Sequence, residues 1–437
     1  MRRLAQAVLH SKAVLATLAA IAMISIFVSM SDLIEYAGID LRNRIVGARS
    51  ILAGADPYVI EPEHEIPEWR SDFNQRYPGI SRVTVAPTTL LFYVPFASLS
   101  HRTQQVIWWL LQWAAMIWAI IVLYRSEATE EERRAFLSIS VVCFLGSWFW
   151  RLHVERGQYY VFLTLLLCLD LAAIRAAGGS RPRWVGIPIG ISIALRPTYG
   201  IVLPLLWLLG ERRAAVRAAV TSVLLVALSI AVVGWSAWRH FFETVEQMAI
   251  VEVDPGFQAR HFGPLVTKVP PLIEGLDFSK ELPHRGGGST IAALIKAPWA
   301  LPLSRAATFA VGFVGIALAW WMSARGIRRD AILMLVSLIP IFIEFTGTTR
   351  NTYADVAFLP VVAFMVAIMP ASVFVWILAC ITLLLFIGPL ESKWTVHLRH
   401  LMIVTLATAV LCQALMPANR AKPVASGQKR SAAPLSQ

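Results

Sequence analysis

Apolar blocks of 15 to 20 residues recur along this 437-residue chain, and the basic residues gather in clusters between them. A block of that length can cross a hydrocarbon core ~30 Å thick. The chain is 57% hydrophobic and 15% charged, whereas a soluble domain carries about 25% charged residues. A formal charge of +12 could point to nucleic acid, but a nucleic-acid surface does not need its cations parcelled out between apolar blocks. A membrane protein does, because basic loops stay on the cytoplasmic side.

The blocks predict spans near 13–31, 105–124, 135–150, 158–175, 218–236, 306–324, 331–346, 354–369, 371–388 and 400–416. The first follows Arg2, Arg3 and Lys12 and reads as a retained span, since no small-x-small cleavage site follows it. The stretch VAPTTLLFYVPFASL at 85–99, broken by Pro87 and Pro95, is short for a span and reads as partly embedded. The block 184–210 has Arg196-Pro197 at its centre and predicts two short helices turning deep inside the protein. With that hairpin the count is about twelve transmembrane helices, an all-α polytopic membrane protein.

Basic clusters then fall at alternate loops: Arg125, Arg133 and Arg134; Arg175, Arg181 and Arg183; Arg212, Arg213 and Arg217; Arg325, Arg328 and Arg329. These loops and both termini are expected inside. Two long loops, about 32–104 and 237–305, are expected outside. Residues 1–416 form the transmembrane domain and 417–437 a polar, disordered cytoplasmic tail. The four cysteines, Cys143, Cys168, Cys380 and Cys412, lie inside apolar blocks without Cys-x-x-Cys spacing. They read as buried hydrophobes.

In the first long loop, Leu41, Ile45, Ala48 and Leu52 recur at helical spacing, with Arg42, Arg44 and Arg49 off that stripe. This predicts an amphipathic helix on the outer membrane surface. Asp40 stands at its start, where Asp favours the N-cap; a cap and a cavity-facing carboxylate are compatible.

Asp40-Leu41 with its helix, then Gly54-x-x-Pro57-Tyr58, resembles the opening of glycosyltransferase family 87. Pro87 to Pro95 is similar to that family's proline-rich embedded segment, Gly157-Gln158 to its Gly-Gln turn, and Gly190 through Pro197-Thr198 to its Gly-rich hairpin. The chain departs from the pattern in having Arg196 for the hairpin lysine, no double proline at Pro87, and Tyr353 where a histidine is expected. The resemblance implies a GT-C fold with amphipathic interfacial helices in the outer loops. It also implies inverting transfer of mannose or a related hexose from a polyprenyl-phosphate donor to an acceptor hydroxyl. The expected partners are that donor, a lipid or glycan acceptor and membrane lipids, in a bacterial inner membrane with the active site on the periplasmic or extracellular face. A base must take the hydroxyl proton, and cations must meet the charge growing on the leaving phosphate.

The family's Asp-Leu motif makes Asp40 the expected base. Arg196 is the expected phosphate ligand, a charge between two apolar helices, with a snorkelling helix-end arginine as the plainer reading. Arg350 is open between phosphate contact and outer-surface charge. Arg42, Arg44, Gln158, Tyr353 and His153 complete the expected substrate-binding set, with His153 and Glu155 flanking the Gly-Gln turn. Glu344 is as readily a structural partner of Arg196 or Arg350 as a site residue. Asp170 is expected to pair with Arg175. His397 and His400 share a helical face but do not complete a metal site. No carboxylate cluster with divalent-metal spacing is visible, so neither cofactor nor metal is expected. Two rival functions stand beside this one. A transporter or flippase would have many spans and broken helices. A ligase using a lipid-diphosphate donor would lean on Arg260, His261, His284 and Arg285.

Overall fold

The computed structural model describes residues 11–36, 38–59, 83–176, 182–253, 300–327, 329–347 and 352–368, and every regular element among them is helical. The first three helices are α1 (Lys12–Tyr36), α2 (Ile39–Leu52) and α3 (Pro87–Tyr93), the last continued by a 3-10 turn, Val94–Phe96. Next come α4 (His101–Ser126) and α5 (Glu130–Ile139), a π-helical turn at Ser140–Leu145, then α6 (Trp148–Arg156) and α7 (Tyr160–Ala176). The hairpin is α8 (Ile187–Leu195), a 3-10 turn at Pro197–Ile201, and α9 (Val202–Leu208). Four helices complete the set: α10 (Arg212–Val253), α11 (Ala300–Ala324), α12 (Arg329–Gly347) and, after a 3-10 turn at Thr352–Phe358, α13 (Leu359–Ile368).

Four of these are long and apolar enough to span a membrane: Lys12–Ile34, His101–Ser126, Arg212–Val245 and Pro302–Ala324. A fifth span is made if α5 and α6 count as one, although they meet at a 57° bend. Side chains such as Phe27, Phe309 and Phe313 stand exposed on α1 and α11, a surface that suits lipid and not water. The described residues, which cover ten of the twelve expected helices, thus hold four or five that are long and apolar enough to span. The expected span at 135–150 is broken by the bend, so the outer turn at 151–157 is largely helix α6. The expected span at 158–175 is α7, whose 17 residues reach only ~26 Å. The long loop expected from 237 begins as helix, since α10 runs on past a non-helical Gly234. The spans expected at 371–388 and 400–416, and the 417–437 tail, lie outside the described residues.

α4 packs along α7, α1 against α6, α8 against α10, and α12 against both α11 and α13. The α8–α10 seam is tight because Gly190 has no side chain: a Cβ there would lie 2.5 Å from the Ala218 carbonyl oxygen. Trp108 of α4 is fully buried, stacked on Tyr93 at 4.8 Å and edge-on to Phe162 at 5.2 Å.

Two features differ from expectation for tertiary reasons. Asp170 does not pair with Arg175. It accepts the backbone N–H groups of Gly186 and Ile189 at 2.8 and 2.9 Å, capping the start of α8 from another helix. The second is α2, which does not lie on a surface with one wet face. Arg42, Arg44, Val46 and Ser50 are buried as well as Leu41, Ile45 and Ala48, while Leu52 of the apolar stripe is exposed.

Long-range polar contacts sort to two ends of the bundle. At one end Arg175 bridges Glu127 at 3.0 Å and Asp330 at 2.9 Å, and Arg329 pairs with Glu211. At the other, Arg151 holds Asp32 through two hydrogen bonds, at 2.9 and 3.1 Å. His240 there meets Asp56 at 2.8 Å. The Asp-Pro-Tyr of the first loop is pinned at this second end too, since Tyr58 donates to the Val85 carbonyl at 2.6 Å and packs on Phe241. Loops expected on one side of the membrane therefore meet one another.

Candidate active site

The second end also gathers Asp40, Arg44, Arg156, Gln158 and Arg196. The turn between α6 and α7 makes this possible. Gly157 closes α6 with φ 68°, a left-handed conformation that glycine adopts freely. Any Cβ on it would lie 2.5 Å from Leu41 Cβ. The turn can therefore press against the first turn of α2, which brings Gln158 to Asp40.

Asp40 is not the N-cap. Gly38 occupies that position and makes no side-chain cap bond. One oxygen of Asp40, Oδ2, accepts from Arg156 Nε at 2.8 Å and from Gln158 Nε2 at 2.5 Å. Arg44 donates to Gln158 Oε1 at 2.7 Å and to the Gly157 carbonyl at 3.1 Å. With its oxygen taken by a cation, the Gln158 amide must turn its NH₂ toward Asp40. Gln112 of α4 donates to the Gln158 carbonyl at 2.8 Å and fixes the turn from a third side.

A row of aromatic faces leads from this group to the hairpin. Arg44 lies over Tyr159 at 4.9 Å, Tyr159 and Tyr160 are stacked at 5.2 Å, and Arg196 lies over Tyr160 at 4.9 Å. Cations over such faces are held without losing their hydrogen-bond donors. Arg196 also pairs with Glu344, whose side chain is almost fully buried, and Thr198 stands 3.5 Å from the same carboxylate oxygen. The embedded segment meets the hairpin here. Thr88 donates to the Ala194 carbonyl, and Thr89 to that of Leu195 at 2.8 Å. These bonds fasten the last carbonyls of α8 just before Arg196.

The structure thus brings together Asp40, Arg44, Gln158, Arg196 and Glu344 of the expected set. His153 is in the core: it is fully buried, stacked on Trp150, and its Nε2 accepts from the Val161 N–H at 3.1 Å. Arg42 is buried on α2 within electrostatic reach of His101. Arg350 lies outside the described residues, as do Arg260, His261, His284, Arg285, His397 and His400. Tyr353 stands in the 3-10 turn after α12, but its side chain also lies outside them. Arg156, Tyr159, Tyr160, Thr88, Thr89 and Gln112 were not singled out from sequence. Of these, Tyr159 and Tyr160 follow the Gly-Gln motif directly, the only signal that could have found them. Among the described residues no group of three His, Cys, Asp or Glu side chains could hold a metal ion.

Two carboxylates, three arginines and a tyrosine pair thus converge at one end of a helical bundle whose longest helices are apolar enough to cross a membrane. The family model described as Glycosyltransferase family 87 matches residues 85–265, so over that stretch the chain is similar to a family of membrane glycosyltransferases. The match contains the embedded segment, the Gly157-Gln158 turn and the hairpin, while Asp40 precedes it and Glu344 follows it. No curated protein and no solved structure matches the chain.

Proposed function

We propose that the chain moves a sugar, mannose or a related hexose, from a polyprenyl-phosphate donor to an acceptor hydroxyl, with inversion, on a GT-C fold. The observation that carries this reading is the line from Asp40 through Gln158, Arg44 and the two tyrosines to Arg196. It links a carboxylate to cations suited to phosphate through one connected row of largely buried side chains. The acceptor oxygen attacks the anomeric carbon as the bond from that carbon to the phosphate oxygen breaks, and Asp40 takes the hydroxyl proton. Charge growing on the leaving polyprenyl phosphate falls to Arg196, whose planar guanidinium suits phosphate oxygens. An arriving phosphate also competes with Asp40 for Arg156.

The basic clusters favour the cytoplasm for the Arg175 end and the opposite face for Asp40. On that orientation the site lies outside, in a bacterial inner membrane at its periplasmic face, and the donor enters laterally from the bilayer. Arg350 and Tyr353, which follow α12 in the sequence, and Arg42 on α2 are proposed as further substrate contacts.

Incubating the purified protein with a panel of labelled polyprenyl-phosphate sugars and acceptor tests the reading. Consumption of one donor with release of polyprenyl phosphate is expected. Transfer of a whole glycan from a lipid diphosphate, or movement of a lipid-linked sugar across the bilayer without bond cleavage, would replace this reading.

A further inference from the structure

The opposite end of the bundle carries a cavity that catalysis does not use. It has a volume of about 250 Å³ and is lined by Leu209, Gly210 and Glu211 after α9, Ser323 and Ile327 at the end of α11, and Arg329 and Ile332 at the start of α12. A water takes about 30 Å³ in the liquid, so the space admits a group the size of a phosphodiester. Two helices end at the cavity (α9 and α11) and two begin there (α10 and α12), so their dipoles largely offset one another. The side chains therefore set its charge. Glu211 is the acidic lining residue, buried and held by Arg329. Arg212 follows Glu211 directly, and Arg325 lies between the lining residues Ser323 and Ile327. Both are exposed, cations next in sequence to lining residues.

The depth of the cavity is marked independently. Arg212 lies over Trp207 at 5.4 Å and Arg325 over Trp321 at 5.7 Å, and both indoles are exposed. Exposed Trp beside Arg is the pattern of the headgroup level of a bilayer. Beyond it, α10 and α11 show Val216, Val220, Val223, Trp320 and Phe313 on their outer faces, a surface for acyl chains.

We propose that this cavity binds the phosphate headgroup of an anionic phospholipid, with Arg212 and Arg325 on its rim and Arg329 at its base. Its acyl chains run along α10 and α11. Basic pockets between membrane helices suit this chemistry. The site is separate from the transfer chemistry and does not depend on it.

Native mass spectrometry of the detergent-purified full chain, with phosphatidylglycerol or phosphatidylcholine added, tests the proposal. Preferential retention of one phosphatidylglycerol per chain is expected, with retention weaker by about thirtyfold in Arg212→Gln/Arg325→Gln, from the usual contribution of two interfacial charges. Arg325→Gln alone, expected to lose about fivefold, serves if the double variant does not fold. Equal retention of the two lipids, or undiminished phosphatidylglycerol binding in a folded variant, would overturn it. Inorganic phosphate at matched ionic strength distinguishes the sources of the anion: a lipid site keeps its phosphatidylglycerol, whereas displacement by free phosphate rules the lipid out.

Discussion

Arg175 and Arg196 are both arginines drawn into the same bundle, and their surroundings differ. Arg175 stands between Glu127 and Asp330, with its side chain only 10% exposed, and ties α7 to α12. Arg196 has Glu344 on one side and the face of Tyr160 on the other, and keeps 19% exposure. Around it the same looseness recurs, since Asp40 and Arg156 remain 26% and 28% exposed. The charges around Arg175 are matched within the protein and hold helices, although Arg329 at the same end is 38% exposed. Charges at the Asp40 end are matched, yet open enough for a ligand to exchange with them. Burying an ion pair gains little net stability, so under the proposed function the partly open charges around Asp40 are the ones a substrate would meet.

That contrast can be broken by substitution. Asp40→Asn should lower transfer by about 10²–10⁴, the usual contribution of a general base, while donor binding and the unfolding midpoint stay near wild type. Unchanged turnover at saturating donor and acceptor would reduce Asp40 to a partner of Arg156. Arg175→Met should do the reverse. It strands two carboxylates and should cost about 3–5 kcal/mol of stability, with turnover per folded molecule nearly unaltered; denaturant unfolding beside an activity assay reads both.

Arg196→Ala should reduce turnover roughly a hundredfold, and Arg196→Lys should keep a measurable part, because a point charge still meets the phosphate. Equal loss in both would point to packing instead. Tyr160→Leu sharpens the picture further. Without the ring beneath Arg196, turnover should fall roughly tenfold, with little change in the unfolding midpoint.

The smallest effect belongs to the buried cluster around Arg175. Burial pushes the Glu127 carboxyl up to about 7, against the pull of Arg175. The folded state therefore binds a proton that the unfolded state releases between the ordinary carboxylate range and that value, and stability falls as pH rises through this window. Thermal unfolding from pH 5 to 8 should show a shallow decline of a few degrees, flattened in Glu127→Gln.

Helix positions were largely legible in the sequence, because apolar length and the Arg196-Pro197 break are local signals. α4 and the hairpin lie close to their expected places. Side-chain partners were less legible. Asp170 and Arg175 share a helix, which suggested a local pair, but each is claimed by groups far along the chain: Gly186 and Ile189 for one, Glu127 and Asp330 for the other. On α2 the arginines looked solvent-facing because nothing local shows that the Gly157 turn packs against that helix. The Glu344–Arg196 pair was one of the alternatives the sequence left open, beside a pair with Arg350 and a direct site role. The Tyr159–Tyr160 bridge was not among them, because stacking depends on which cations the fold brings to either side.

Sidedness and donor together test the account most directly. Vesicles sealed in known orientation would receive labelled polyprenyl-phosphate sugar and acceptor on one face only. Donor consumption is expected from the face bearing residues 53–59, opposite the loop at 127–129, and should vanish in Asp40→Asn. Consumption from the 127–129 face, or transfer from a nucleotide sugar in place of the lipid donor, would contradict it.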